Sequence, residues 1–224
     1  MTRTAIFDLD GTLADTSGDL IAAANACFEA DGHAPPLDPV AHMAVAFAGG
    51  RAMLRKGYQI LHGTAQEADV DRHYPGLLAF YGENIDRHTR LYPGVEACLD
   101  DLAQAGWRLG VCTNKPEGLA EDLLQRLGLR SRFASMIGAD TLPVRKPDAA
   151  PLLAAVERAG GQADRSVLIG DTITDRDAAR AAGLPCVLVS FGPEGRAVER
   201  LQPQALLDHY DALPALLDQL VPAA

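Results

Sequence analysis

Thr4-Ala5-Ile6-Phe7-Asp8-Leu9-Asp10-Gly11-Thr12-Leu13 is the stretch on which the fold turns. Its first four residues are an apolar run that reads as a buried strand, and such a strand needs partner strands from elsewhere in the chain. Residues i and i+2 of a strand share a face, so Asp8 and Asp10 start on one side, and a turn beginning at Gly11 lets both carboxylates converge on one small site. Two carboxylates so close repel, and holding them at a buried strand end costs free energy unless a cation or a shared proton compensates. The pattern points to a divalent metal, although strand ends also carry Asp and Gly simply because turns favour them.

The partner strands lie far downstream. From Tyr92-Pro93-Gly94 onward the sequence alternates helical patterns with short apolar runs. Helix 95–104 precedes strand 108–112, helix 117–127 precedes strand 134–138, helix 149–159 precedes strand 166–169, and helix 175–182 precedes strand 186–189. Repeated helix and strand units of this length predict an α/β fold with a doubly wound parallel sheet covered on both faces. Between about Asp15 and Thr89 no convincing strand occurs. Leu20, Ala23, Ala24, Cys27 and Phe28 fall at helical spacing, and further helical patterns near 39–47, 51–61 and 66–87 give four helices, with Pro75 expected to kink or divide the last. The predicted organisation is a core built from residues 1–15 and 91–224, interrupted by a helical cap over 16–90 that emerges directly after the two aspartates and is placed to cover them.

Composition narrows the class. The 224 residues are 48% apolar and 22% charged, as expected of a globular chain, and the formal charge of −10 argues against a nucleic-acid or anionic-membrane binder. A small anionic partner held in a local positive pocket remains compatible with that charge. Cys27, Cys98, Cys112 and Cys186 are far apart and form no metal-binding spacing, which predicts four reduced thiols. No apolar stretch reaches the ~18 residues of a membrane span, and the residues before Thr4 do not read as a signal peptide, so a cytoplasmic location is expected. Lysine occurs only at Lys56, Lys115 and Lys146, and the place of each therefore carries information.

Ligands of doubly wound sheets bind beyond the carboxyl ends of the strands, and three further segments there carry chemistry. The strand ending at Cys112 runs into Thr113-Asn114-Lys115, a hydroxyl, an amide and an ammonium; turn and cap roles suit the first two equally well. Lys146-Pro147 stands before a helix. The strand ending at Ile169 continues into Gly170-Asp171, with Asp175 one helical turn beyond, where a helix N-terminus also favours an acid. Taken together, these ends offer hard oxygen donors for a metal, with positive charge and hydrogen-bond donors for phosphoryl oxygens.

In this order, Asp8-x-Asp10-Gly11-Thr12, Thr113, Lys146 and Gly170-Asp171-x-x-x-Asp175 resemble the motifs of haloacid dehalogenase superfamily phosphatases. The insertion and Thr113-Asn114-Lys115 resemble the phosphoglycolate phosphatase-like subgroup. The resemblance implies a Rossmann-like core and a Mg²⁺-dependent phosphatase acting on a small phosphorylated metabolite. Asp8 would be the nucleophile that forms an aspartyl-phosphate, and Asp10 the acid and base, oriented by Thr12. Thr113 and Lys146 would bind phosphoryl oxygens, with Gly11 and Asn114 in the same phosphate-binding region. The metal would lie among Asp8, the backbone carbonyl of Asp10, Asp171 and Asp175, the last acting through its neighbours. Arg51, in the insertion, is a candidate for a second anionic group of the substrate, against an ordinary solvated role. Ala149 and Thr172 depart from residues common in relatives without touching a required group. Asp10 argues against a dehalogenase, and Lys56 is a poor match for the Schiff-base lysine of a phosphonate hydrolase. A sugar phosphomutase of the β-phosphoglucomutase type shares the core and the aspartate pair, and a non-catalytic binding protein on the same fold is a further alternative.

Overall fold

Six short runs, most of them buried along their length, form the central sheet of the computed structural model, which describes residues 2–223. They are β1 (Thr4–Phe7), β4 (Arg108–Cys112), β5 (Ser135–Ile137), β6 (Ser166–Gly170), β7 (Cys186–Val189) and β8 (Ala205–Leu207), in the spatial order β5-β4-β1-β6-β7-β8. Every pairing is parallel. Thr4 aligns with Arg108 on one side and Ser166 on the other, and Phe7 with Val111 and Ile169, so β1, β4 and β6 end level with one another. The chain builds outward from β1 to β4 and β5, then returns to the other side of β1 for β6, β7 and β8. This reversal puts the crevice expected of an open parallel sheet at the carboxyl end of β1.

Helices α5 (Val95–Gln104), α6 (Glu117–Arg126), α7 (Ala149–Arg158), α8 (Ile173–Ala182) and α9 (Leu213–Leu220) complete this unit, which comprises the chain up to Ala14 and from Leu91 onward. One side of its core gathers Ile6, Cys112, Ile137, Leu152, Val156, Leu168, Ala178 and Leu188. All four cysteines are buried free thiols. The strands and helices expected from the alternation are present to within a few residues. β8 and α9 were not anticipated: β8 has only three residues and follows a 3-10 helix, Gly195–Leu201, whose pattern gives no strand signal.

The second unit, Asp15–Arg90, is helical, with α1 (Ser17–Ala30), α2 (Met43–Phe47), α3 (Gly50–His62) and α4 (Glu67–Glu83). The chain passes between the units at two-residue strands, β2 (Ala14–Asp15) and β3 (Arg90–Leu91). Of the two outcomes expected at Pro75, division of α4 does not occur: the helix runs unbroken around the proline. One backbone bond is forgone there, and burial of Val70, Leu77 and Tyr81 on both sides of the proline offsets that loss. The helices pack closely: a Cβ on Gly57 would lie 2.3 Å from the Phe28 ring.

Asp19 anchors the return segment of this unit. Its buried carboxylate accepts from His88 N–H (2.9 and 3.0 Å), Thr89 N–H (2.9 Å) and the Thr89 hydroxyl (2.8 Å). Asp19→Ala is expected to destabilise the protein by about 3 kcal/mol, because the buried Thr89 N–H and hydroxyl and the part-buried His88 N–H lose their acceptor. Denaturant unfolding checks this; a loss below ~0.5 kcal/mol would show that the contact is dispensable.

Candidate active site

Asp8 continues the line of β1 by donating its N–H to the Ile169 carbonyl (2.8 Å), so its side chain emerges at the sheet edge in a fixed direction. Leu9 N–H donates to Asp8 Oδ1 (2.7 Å), which orients the carboxylate. The chain then folds back: Leu13 and Ala14 N–H groups return to the Leu9 carbonyl, and Gly11, with φ +80°, supplies the left-handed residue this turn requires. Thr12, fully buried, donates its hydroxyl to Asp171 Oδ1 (3.0 Å), tying the turn to the end of β6.

Asp8, Asp171 and Asp175 form a cluster in which one carboxylate oxygen from each lies within 4.8 Å of the others. Lys146, almost wholly buried, reaches Asp175 Oδ1 (2.5 Å) and Asp8 Oδ2 (3.1 Å). Asp175 is spent on this framework: its Oδ2 accepts from the N–H groups of Asp171 (3.2 Å) and Thr172 (3.1 Å) and from the Thr172 hydroxyl (2.9 Å), closing a capping box at the start of α8. Gly170 is required by the same contact, since a Cβ there would stand 2.4 Å from Asp175 Cγ.

The electrostatics are unbalanced. Three carboxylates share one ammonium, an excess of two negative charges in a buried place. Burial pushes the Asp8 carboxyl up to about 7; Lys146 pulls it down, and Asp175 and Asp10 push it up again. Burial raises Asp171 well above the usual carboxylate range, with Asp175 and Asp8 adding to it. Burial alone would lower the Lys146 ammonium, yet Asp175 and Asp8 hold its pKa above the ordinary lysine value. Asp171 Oδ2 is buried and has no hydrogen-bond partner. An orphaned carboxylate oxygen beside Asp8, with two surplus negative charges, suits a divalent cation bound by hard oxygen ligands.

The structure also brings Asp10, Thr113 and Asn114 to this edge, and adds a residue that the sequence reading left without a role. Lys115, with a side chain only 3% exposed, donates to both oxygens of Asp10 (2.8 and 3.1 Å). The Asp10 carboxylate is thus turned to Lys115 and stands outside the three-carboxylate cluster. The Thr113 hydroxyl oxygen accepts from Lys115 N–H (3.2 Å), and Asn114 Nδ2 donates to the Lys146 carbonyl (3.0 Å), so Asn114 positions the lysine-bearing loop. The scarcity of lysine was the signal that could have found Lys115. Arg51 lies in the helical unit, where it pairs with Asp71 (2.5 Å) and lies over the Tyr74 ring, 4.6 Å from its centroid.

The segment after β7 backs the site. Phe191 packs between Tyr92 and Tyr210, and a Cβ on Gly192 would lie 3.0 Å from the Gly11 carbonyl and 3.2 Å from Asp171 Cβ. The fully buried Tyr210 donates its hydroxyl to the Thr12 carbonyl (2.8 Å).

Comparison with known proteins agrees with this arrangement. The family model for haloacid dehalogenase-like hydrolases matches residues 5–189. A phosphoglycolate phosphatase of Agrobacterium fabrum is 42% identical over 219 residues, covering 97% of this chain and 93% of its own. One from Mesorhizobium japonicum is 38% identical over 220 residues, covering 98% and 96%. The crystal structure of a predicted phosphoglycolate phosphatase from Haemophilus somnus 129PT superposes with a TM-score of 0.85 at 24% identity, covering 96% of this chain and 97% of that one, and supports the fold. Strand ends, sheet order and relatives converge: the chain belongs to the haloacid dehalogenase-like hydrolases.

Proposed function

We propose that the protein is a Mg²⁺-dependent phosphatase that hydrolyses a small phosphate monoester through an aspartyl-phosphate on Asp8, with phosphoglycolate as the leading substrate. The observation that carries this reading is Asp8 fixed at the end of β1 beside Lys146, with the orphaned Asp171 oxygen next to it. Phosphoglycolate enters from the names of the relatives, whose hydrolytic activity also favours water over a second sugar hydroxyl as acceptor. The helical unit would serve as the cap. A cytoplasmic setting agrees with the four free thiols, and among the described residues no helix is long and apolar enough to cross a membrane.

In this mechanism an Asp8 carboxylate oxygen forms a bond to phosphorus as the bond to the ester oxygen breaks, and Asp10 gives the departing alkoxide its proton. Asp10, now a carboxylate, takes a proton from the water that attacks the acyl phosphate, releasing inorganic phosphate and restoring Asp8. Lys146 compensates charge on Asp8 and the phosphoryl oxygens, and Thr113 offers them its hydroxyl hydrogen. Asp8, Asp171 and the Asp10 backbone carbonyl would hold Mg²⁺, and Asp175 would keep Asp171, Thr172 and Lys146 in place. When bound, the ion supplies positive charge to the phosphoryl oxygens.

Phosphate release from phosphoglycolate, sugar phosphates, nucleotides and an aryl ester, with Mg²⁺ and with chelator, tests the reading. Strong release from one compound that chelator abolishes is expected; no release from a folded protein with any of them would refute it.

Metal and proton compete for the same site. Asp8 is raised from 3.8 to about 7, so between these values the folded metal-free protein holds a proton that the unfolded chain has released, and stability falls as pH rises through that window. Mg²⁺ requires the deprotonated carboxylate. The increase in Tm on adding Mg²⁺ is expected to be small near pH ~5, larger near pH ~8, and absent in Asp171→Asn. An increment independent of pH would contradict the assigned ligands.

A further inference from the structure

Only one residue separates Asp8 from Asp10, and the two buried lysines at this sheet edge divide the pair. Lys146 contacts Asp8 and not Asp10; Lys115 donates to both oxygens of Asp10. The Lys115 backbone is held as well, its N–H on the Thr113 hydroxyl oxygen and its carbonyl accepting from Ala139 N–H (2.9 Å). Its ammonium is therefore delivered from a fixed point beyond β4. Asp10 sits on the turn that reverses at Gly11, with a side chain 19% exposed. Bonds of 2.8 and 3.1 Å from Lys115 to both of its oxygens orient its carboxylate plane.

We infer that Lys115 is a positioning residue for the reaction, holding the Asp10 carboxyl apart from Asp8 and oriented for proton transfer to the leaving group and from water. This rests on the reading of Asp8 as nucleophile and Asp10 as acid and base. Because Lys115 acts through Asp10, its loss should be felt where the departing oxygen needs a proton and hardly at all where it does not. A misplaced acid of this kind lowers turnover without a matching change in substrate binding.

The test compares Lys115→Met, Lys115→Gln and Asp10→Asn on phosphoglycolate, a poor alkoxide leaving group, and on 4-nitrophenyl phosphate, whose phenolate leaves unaided. The quantities read are kcat and KM for the first compound and the initial burst of phenolate for the second. Both lysine variants are expected to lose ~10- to 100-fold in kcat for the alkyl ester, with KM and the aryl burst changed less than ~3-fold, the selective pattern shared with Asp10→Asn. In the Asp10→Asn background, removing Lys115 should cost less than ~3-fold more. Lys115→Gln keeps a neutral donor on a side chain one atom shorter, and it is the variant to use if Lys115→Met does not fold. Equal losses on the two esters, or the full loss repeated in the Asp10→Asn background, would overturn the inference while leaving the phosphatase reading intact. Turnover retained by an Asp8→Asn control would instead overturn that reading, and the role of Lys115 with it.

Discussion

Asp8→Asn is expected to reduce phosphate release by at least ~10⁴-fold while the protein stays folded, because the amide cannot form the acyl phosphate although it fills the same space. The structure adds a sign to the stability effect. Burial and neighbouring acids disfavour the charged form of Asp8, and Lys146 keeps Asp175 as its nearer partner when Asp8 is neutralised. Metal-free Asp8→Asn should therefore melt higher than the native sequence at neutral pH, by a margin that grows as pH rises from 3.8 to about 7 and is constant above it. Its stabilisation by Mg²⁺ should shrink, because one charged ligand is gone. Calorimetry with and without chelator, paired with a phosphate assay, reads both. Mg²⁺-dependent release at the native rate would sink the mechanism; a collapse of stability would mean that the Asp8 charge serves the fold.

The parts of the site that were legible in the sequence are those in which local pattern and chemistry coincide. An apolar run ending in Asp8, and another ending in Gly170-Asp171, say both that a strand stops and that an acid stands at its edge. The parallel register then puts those ends side by side without further information. Pairings between distant side chains were not legible. No spacing rule says that Lys115 will reach Asp10, 105 positions away, or that Tyr210 will hold the Thr12 carbonyl from 198 positions away. The role of Gly170 was half legible: glycine signals close approach, but that the approaching group is the Asp175 carboxylate emerges only once α8 is in place. β8 escaped because a three-residue edge strand carries too little periodicity to be read, and its place in the sheet is set by pairing with β7. At Pro75 the local rule left two outcomes open, and packing on both sides of the proline keeps α4 continuous.

Removing Lys146 should do the reverse of removing the Asp8 charge. Its ammonium, 1% exposed, is the one cation in contact with Asp8 and Asp175 among the described residues, so Lys146→Ala leaves the cluster of three acids without it. Breaking a buried pair from one side costs about 3 to 5 kcal/mol. The metal-free variant should therefore unfold more easily, increasingly so as pH rises and the acids lose their protons. Mg²⁺ should recover part of that stability, since it brings positive charge to the same carboxylates. Turnover should remain low even with Mg²⁺, by ~10²- to 10³-fold, because the phosphoryl oxygens have lost a preorganised cation. Arg51→Ala supplies the contrast. The Arg51–Asp71 pair is exposed, and such pairs contribute about 0 to 1 kcal/mol, so small generic esters should be hydrolysed within ~3-fold of the native rate. Comparable losses in the two variants on a small aryl ester would mean that the phosphate does not bind at the end of β1. A large loss confined to Arg51→Ala with phosphoglycolate would instead assign that arginine to the substrate's second anionic group, leaving the chemistry with Asp8, Asp10 and Lys146.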